Sequence, residues 1–339
     1  HSVAILVRGR GFAVNGVAGA TRTRTHTEVE ASDTPDLPMS EGVGDPDAQR
    51  SEMLMSTAAL AAAMPDVSRS LVVVELLNSE APARIPGSLR AWRPDYQLPM
   101  GEDQPLDGIL PLAEQFQDFA RGLGVNETTE VVIVDRKYDA TRLWWLFVLF
   151  GKRQVSVLDG GFAAWESEGR PVTADAPEPR PRGSWTVRPP DERLMARRED
   201  VEAMQAAGEP ARLWDVRTVE EFEGAVCLPG ARRPGRIPWA TARLEWDLFH
   251  ADDGRFRPSE EIRAIALSQL HTTPEDRLVH TFYCQSGVRT TQLIFSLFLA
   301  GWPLERLRNY DGSWVEWSHV AGNSDIACGP VDATGRGGA

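Results

Sequence analysis

Short apolar runs recur along the chain, each bounded by polar or turn-forming residues. Leu71-Val72-Val73-Val74 is apolar throughout and mostly β-branched. Similar runs lie at Glu130 to Val134, Gln154 to Leu158, Arg212 to Val216 and Arg277 to Tyr283. Runs of this length without polar alternation predict strands covered on both faces, as in a parallel sheet. Between them the apolar positions space as on helices: about Ser56 to Met64, with Ser56 or Thr57 as cap, then Leu112 to Leu123, Thr141 to Phe150, Ser259 to Leu267 and Thr291 to Ala300. Strand and helix signals alternating in both halves predict α/β domains, each a parallel sheet flanked by helices.

The pattern also sets boundaries. Residues 1–50 show no sustained periodicity and turn from basic to acidic near Glu28, which predicts a disordered extension. Ala176-Pro177-Glu178-Pro179-Arg180-Pro181-Arg182-Gly183 is rich in proline and arginine and predicts a stiff connector over 173–190. It separates a domain at 51–172 from a second at 191–326, with a tail at 327–339. Landmarks repeat across it in one order. Ala83-Arg84-Ile85-Pro86-Gly87 returns as Gly235-Arg236-Ile237-Pro238-Trp239, and Asp159-Gly160-Gly161-Phe162 returns as Asp311-Gly312-Ser313-Trp314. The strand that ends at Asp135 stands where the strand that ends at Cys284 stands. Three shared landmarks in the same order indicate a duplicated domain.

Composition narrows the function classes. A net charge of -13 argues against bulk nucleic-acid binding and against adsorption to anionic membranes. An anionic small substrate would therefore need a local positive patch. The three cysteines, Cys227, Cys284 and Cys328, form no CxxC pair and no even framework, which points to a reducing, cytoplasmic compartment. No apolar run approaches the roughly 18 residues that span a bilayer. Residues 1–27 carry basic residues and no acid, as transit peptides do, and a start at His1 also fits a fragment. The six histidines show no metal-ligand spacing, and His280, inside an apolar strand, reads as a structural histidine.

Cys284 is the candidate for chemistry. It follows the strand at Arg277 to Tyr283, and Gln285-Ser286-Gly287-Val288-Arg289-Thr290 lead into the next helix. Successive backbone N–H groups in such a loop converge on an anion, aided by the positive end of the helix. That environment favours a thiolate and so a reactive cysteine. Cys227 lies in a proline-rich loop and Cys328 in a Gly/Pro-rich tail, and both read as incidental.

These residues resemble the tandem-domain rhodaneses, the group of thiosulfate and 3-mercaptopyruvate sulfurtransferases. The resemblance covers about residues 52–326. It is carried by the Cys284 loop, Tyr310-Asp311-Gly312-Ser313-Trp314-Val315-Glu316-Trp317, Trp214-Asp215-Val216-Arg217-Thr218-Val219-Glu220-Glu221-Phe222, and Asp135-Arg136 through Trp144-Trp145. It implies two rhodanese-like domains, of which only the second holds a catalytic cysteine. It further implies sulfur transfer through a Cys284 persulfide without metal or organic cofactor. The donor would be thiosulfate or 3-mercaptopyruvate, and the acceptor cyanide, a thiol or a thioredoxin-like protein. Arg217 and Arg289 are the expected substrate-binding cations. Arg236, Trp239 and Glu75 depart from the family pattern. Two other readings stand beside this one: a persulfide relay module for a dedicated protein partner, and a phosphatase or arsenate reductase-like enzyme. The latter resemble Cys, five residues, then Arg, whereas four residues separate Cys284 from Arg289.

Overall fold

The structure, a computed structural model, describes residues 45–64, 70–78, 83–206 and 212–330. Two five-stranded sheets form, and every strand pair in both is parallel. The first contains β1 (Leu54–Met55), β2 (Leu71–Leu76), β3 (Leu89–Ala91), β4 (Glu130–Val134) and β5 (Val155–Leu158). The second contains β6 (Met195–Ala196), β7 (Leu213–Asp215), β8 (Ala242–Arg243), β9 (His280–Tyr283) and β10 (Leu307–Tyr310). Their orders, β1-β5-β4-β2-β3 and β6-β10-β9-β7-β8, are the same permutation. The duplication is therefore topological, and β4 corresponds to β9.

Helices flank both sheets. The first half has α1 (Pro46–Met53), α2 (Thr57–Ala63), α3 (Arg93–Tyr96), α4 (Ala113–Gly122), α5 (Ala140–Leu149) and α6 (Gly161–Ser167). The second has α7 (Arg198–Ala206), α8 (Val219–Glu223), α9 (Ser259–Gln269), α10 (Thr290–Leu299) and α11 (Ser313–Val320). α5 and α10 are apolar nearly all round, a pattern that suits a helix covered on every side. Each lies against its own half and against the other: the rings of Trp144 and Phe295 meet edge-on at 4.7 Å between centroids. One buried apolar cluster runs through both halves and includes Trp144, Trp145, Phe147, Ile294, Phe295 and Leu297.

Three segments bordering the two domains are more tightly held than the sequence indicates. Residues 1–44 of the expected disordered extension lie outside the described residues, but residues 46–50 belong to α1. Asp45 caps that helix by accepting the N–H of Asp47, and Pro46 opens it. Its Arg50 guanidinium donates to the carbonyls of Phe256 and Arg257 at 2.8 and 2.9 Å. A polar face that reaches carbonyls more than 200 positions away leaves no local periodicity to detect. The connector, expected over 173–190, has no helix or strand from 174 to 190, yet it is strapped to the first half. Gly183, Trp185 and Arg188 donate backbone N–H groups to Arg121, Val125 and Phe150. Trp185 is buried against Phe116 and Phe147. At the other end, Ala327 pairs with Arg236, so the tail joins the second half at least that far. Among the described residues no helix is long and apolar enough to cross a membrane.

Candidate active site

Cys284 follows the last residue of β9 and is 1% exposed. Its N–H donates to Ser313 Oγ at 3.1 Å, and its carbonyl accepts the N–H of Trp314 at 3.0 Å. Ser313 sits at φ 50°, a left-handed conformation uncommon for a non-glycine residue. That turn brings its hydroxyl between the Cys284 N–H and the Tyr310 carbonyl.

The loop from Cys284 to Arg289 then carries the chain into α10. Among the described residues, the backbone N–H groups of Gln285, Ser286, Gly287, Val288, Arg289 and Thr290 donate to no other protein group. Ser286, Val288 and Thr290 are buried. Six consecutive donors without acceptors at a helix N-terminus make a cradle for negative charge. Gly287, at φ 72°, is required on two counts. The left-handed conformation disfavours a side chain, and a Cβ there would come 2.9 Å from Asp311 Oδ1.

The two arginines expected to bind substrate are both engaged within the protein. Arg289 forks onto Glu221, with both contacts at 2.8 Å. Burial disfavours the Arg289 cation, but the Glu221 hydrogen bonds and the negative charge of a Cys284 thiolate outweigh it and raise its proton affinity. Glu221 is held below its ordinary range by the same pair, against its own burial. It also caps α8 in a box with Thr218. Arg217 is buried and donates to both Asp215 oxygens and to the Gly235 carbonyl, between the rings of Trp314 and Tyr283. Neither guanidinium is an unpaired cation. Asp215 and Arg217 stand two positions apart in the sequence, whereas the Glu221 partner lies 68 positions from Arg289 and gives no local signal.

The family departures are structural as well. Arg236 is buried over the Phe222 ring and donates to the Phe222 and Gly329 carbonyls. Trp239 meets Trp317 edge-on at 5.2 Å. Glu75 accepts from Ile85 N–H, Ser88 Oγ and Arg136. His280 accepts from Trp214 Nε1 and donates to Thr272, and burial holds its pKa down to about 4. Cys227 and Cys328 are exposed free thiols. Among the described residues no cluster of His, Cys, Asp and Glu could hold a metal.

Sequence reasoning missed the residues that fasten the loop from behind. Asn309 Nδ2 and Arg142 Nη1 both donate to the Gly287 carbonyl, at 3.0 and 3.2 Å. Arg142, from the first half, also meets Asp311 Oδ1 at 2.5 Å. Asp311 additionally accepts the N–H of Ile109, so the first half closes on this turn at two points. The arginine two positions before Trp144-Trp145 was the only available signal.

Comparisons with known proteins agree with this arrangement. Residues 70–168 and 197–319 each match the rhodanese-like domain family. A Mycobacterium bovis protein provisionally named thiosulfate sulfurtransferase 1 is 32% identical over 240 residues, 68% of this chain and 81% of its own. The sulfur carrier protein TtuD of Thermus thermophilus is 32% identical over 250 residues, 70% of this chain and 83% of its own. The 3-mercaptopyruvate sulfurtransferase of Rattus norvegicus is 34% identical over 219 residues, 63% of this chain and 70% of its own.

Proposed function

The chain belongs to the rhodanese-like domain family, and from that premise we propose that it is a sulfurtransferase with Cys284 as nucleophile. The Cys284 thiolate attacks the outer sulfur of thiosulfate, or the sulfur of 3-mercaptopyruvate. A new S–S bond forms on Cys284 as the donor's S–S or C–S bond breaks. The leaving group keeps the electron pair, as sulfite or as the enolate that protonates to pyruvate. Cyanide or a thiolate then attacks the outer sulfur, departs as thiocyanate or a new persulfide, and returns the Cys284 thiolate. Both resting forms, thiolate and persulfide, are anionic, so a ring of fixed dipoles serves each of them.

The observation that carries this reading is the set of six N–H groups over residues 285–290 that have no acceptor among the described residues. Glu221 orders the end of that cradle through Arg289, while Arg217 ties β7 to the Gly235 turn. Because both guanidiniums are paired, the backbone rather than a free cation supplies most of the attraction for the donor.

Incubation with thiosulfate or 3-mercaptopyruvate is expected to add one sulfur to the peptide containing Cys284, and Cys284→Ala is expected to prevent it. A native protein that acquires no sulfur from either donor would overturn the proposal. Initial rates with the two donors then assign the substrate. The relative named as a sulfur carrier favours a second reading, delivery of the persulfide to a dedicated protein. That reading predicts slow transfer to cyanide and fast transfer to one co-purifying thiol protein.

A further inference from the structure

The two halves touch reciprocally around their corresponding loops. Thr141 and Thr291, each the second residue of its helix, meet hydroxyl to hydroxyl at 2.9 Å. The third residue of each helix crosses to the other half. Gln292 of α10 donates to the carbonyl of Tyr138, three positions after Asp135, at 2.6 Å. Arg142 of α5 donates to the carbonyl of Gly287, three positions after Cys284. One crossing is a neutral amide and the other a guanidinium. The charged one points to the loop that holds the cysteine.

We propose that Arg142 is a positioning residue contributed by the cysteine-free half, one that sets the anion-holding conformation of the Cys284 loop. The proposal rests on the sulfurtransferase reading of that loop and names a further residue for it. A trans peptide directs its C=O and N–H to opposite sides. With the Gly287 carbonyl held by Arg142 and Asn309, the N–H of Val288 is turned away from both, and it donates to no protein group among the described residues. Rotating this peptide would remove a donor from the cradle and place a carbonyl oxygen in it. Asp311 balances the Arg142 charge and ties the same guanidinium to the turn that carries Ser313. One side chain thus couples both supports of Cys284 to the other half.

The energetics favour a role beyond joining the halves. Arg142 is 0% exposed, and among the described residues its Nε and Nη2 have no hydrogen-bond partner. Each unsatisfied buried donor carries an uncompensated desolvation cost. The glutamine at the corresponding place makes its crossing with both polar atoms of its amide satisfied. A link needed only for assembly would use the less costly group.

The test compares Arg142→Gln, Arg142→Lys and Gln292→Ala with the native chain. Three quantities are read: the pH profile of Cys284 alkylation by iodoacetamide, the rate of sulfur loading, and Tm. Arg142→Gln is expected to move the alkylation profile to higher pH and to slow alkylation at neutral pH roughly tenfold, the equivalent of one unit of proton affinity. Loading is expected to slow by at least the same factor. Arg142→Lys keeps the charge on a shorter side chain and is expected to recover part of both. Gln292→Ala is expected to lower Tm while leaving alkylation and loading unchanged. Native alkylation and loading in Arg142→Gln, with a fall in Tm alone, would make Arg142 a structural tie and overturn the proposal. If Arg142→Gln does not fold, Arg142→Lys decides: a native alkylation profile overturns the proposal, and a shifted one supports it. Alkylation needs no sulfur donor, so a native chain that fails to load sulfur would overturn the sulfurtransferase reading and leave this test standing.

Discussion

The loops that follow β4 and β9 are the same construction with opposite contents. After Asp135 five residues, counting Asp135, reach α5; after Cys284 six residues, counting Cys284, reach α10. Each loop's first carbonyl accepts the N–H of an aromatic residue on the following turn: Phe162 to Asp135 at 2.9 Å, Trp314 to Cys284 at 3.0 Å. Each turn is fastened from the opposite half, with Phe256 donating to Asp159 and Ile109 to Asp311. In the Asp135 loop two of the donors are already used. The Asp135 carboxylate accepts the Ala140 N–H at 2.7 Å and a second backbone hydrogen bond from Asp139. It lines a cavity of about 160 Å³ together with Lys137, His250 and Gln292. In the Cys284 loop, six donors meet no acceptor among the described residues. The fold makes an anion cradle twice; one copy is filled by its own side chain.

The largest test of that contrast exchanges the loop heads. Cys284→Ala is expected to remove sulfur loading and turnover altogether, whereas Asp135→Ala is expected to leave both near native. Loss of turnover in Asp135→Ala would mean that the filled cradle takes part. Asp135→Cys is the sharper variant. The shorter loop lacks a counterpart of the Gly287 turn and an arginine crossing, so the new thiol is expected to load sulfur at least about a hundredfold more slowly than Cys284, the usual scale of losing a preorganised donor. Intact-mass spectrometry should find one added sulfur per chain. Two would show that the loop backbone alone suffices.

Much of this contrast was legible in the chain, and the reason for the rest is physical. β2, β4 and β9 announced themselves because strands covered on both faces must be apolar along their length. Asp135 opposite Cys284, and Asp159-Gly160 opposite Asp311-Gly312, were visible because backbone turns constrain local residue types. The fate of the arginines was not visible. Arg217 and Arg289 read as cations for a substrate, but a guanidinium is defined by its partners. Those of Arg289 and Arg142 lie 68 and 169 positions away. Trp185 in the connector and Arg50 in α1 escaped for the same reason.

Glu221 offers a test of intermediate size, with Glu75, which accepts from the loop arginine Arg136 in the other half, as the comparison. Arg289 and Glu221 are 13% and 4% exposed, so Glu221→Gln leaves a nearly buried cation and is expected to cost about 3 kcal/mol by denaturant unfolding. Arg136, the partner of Glu75, is 33% exposed, so Glu75→Gln is expected to cost only about 1 kcal/mol. The variants should part on activity. Freed from its carboxylate, Arg289 is expected to lower the KM for the doubly charged thiosulfate several-fold, on the order of one charge-assisted contact, with a smaller gain for 3-mercaptopyruvate. Glu75→Gln should change neither. Equal donor kinetics in both variants would remove Arg289 from donor recognition.

The smallest effect concerns what Asp135 does to the fold. Burial pushes its carboxyl up to about 6, against the Ala140 hydrogen bond and with the Asp139 charge adding to the rise. An unfolded aspartate titrates near 3.9. Between these two values the native chain binds the proton and the unfolded chain does not, so this group's contribution to stability falls as pH rises through that window. Above about pH 6 the penalty is complete; below about pH 4 it is absent. Asp135→Asn keeps an acceptor for the Ala140 N–H and carries no charge. It is expected to stabilise the chain by about 1 kcal/mol at pH 7, less than the full shift implies because the cavity admits water to the carboxylate. The gain should vanish near pH 4. A gain independent of pH would mean that Asp135 is not the group that titrates, and a loss at pH 7 would mean that the filled cradle stabilises the fold in its charged form.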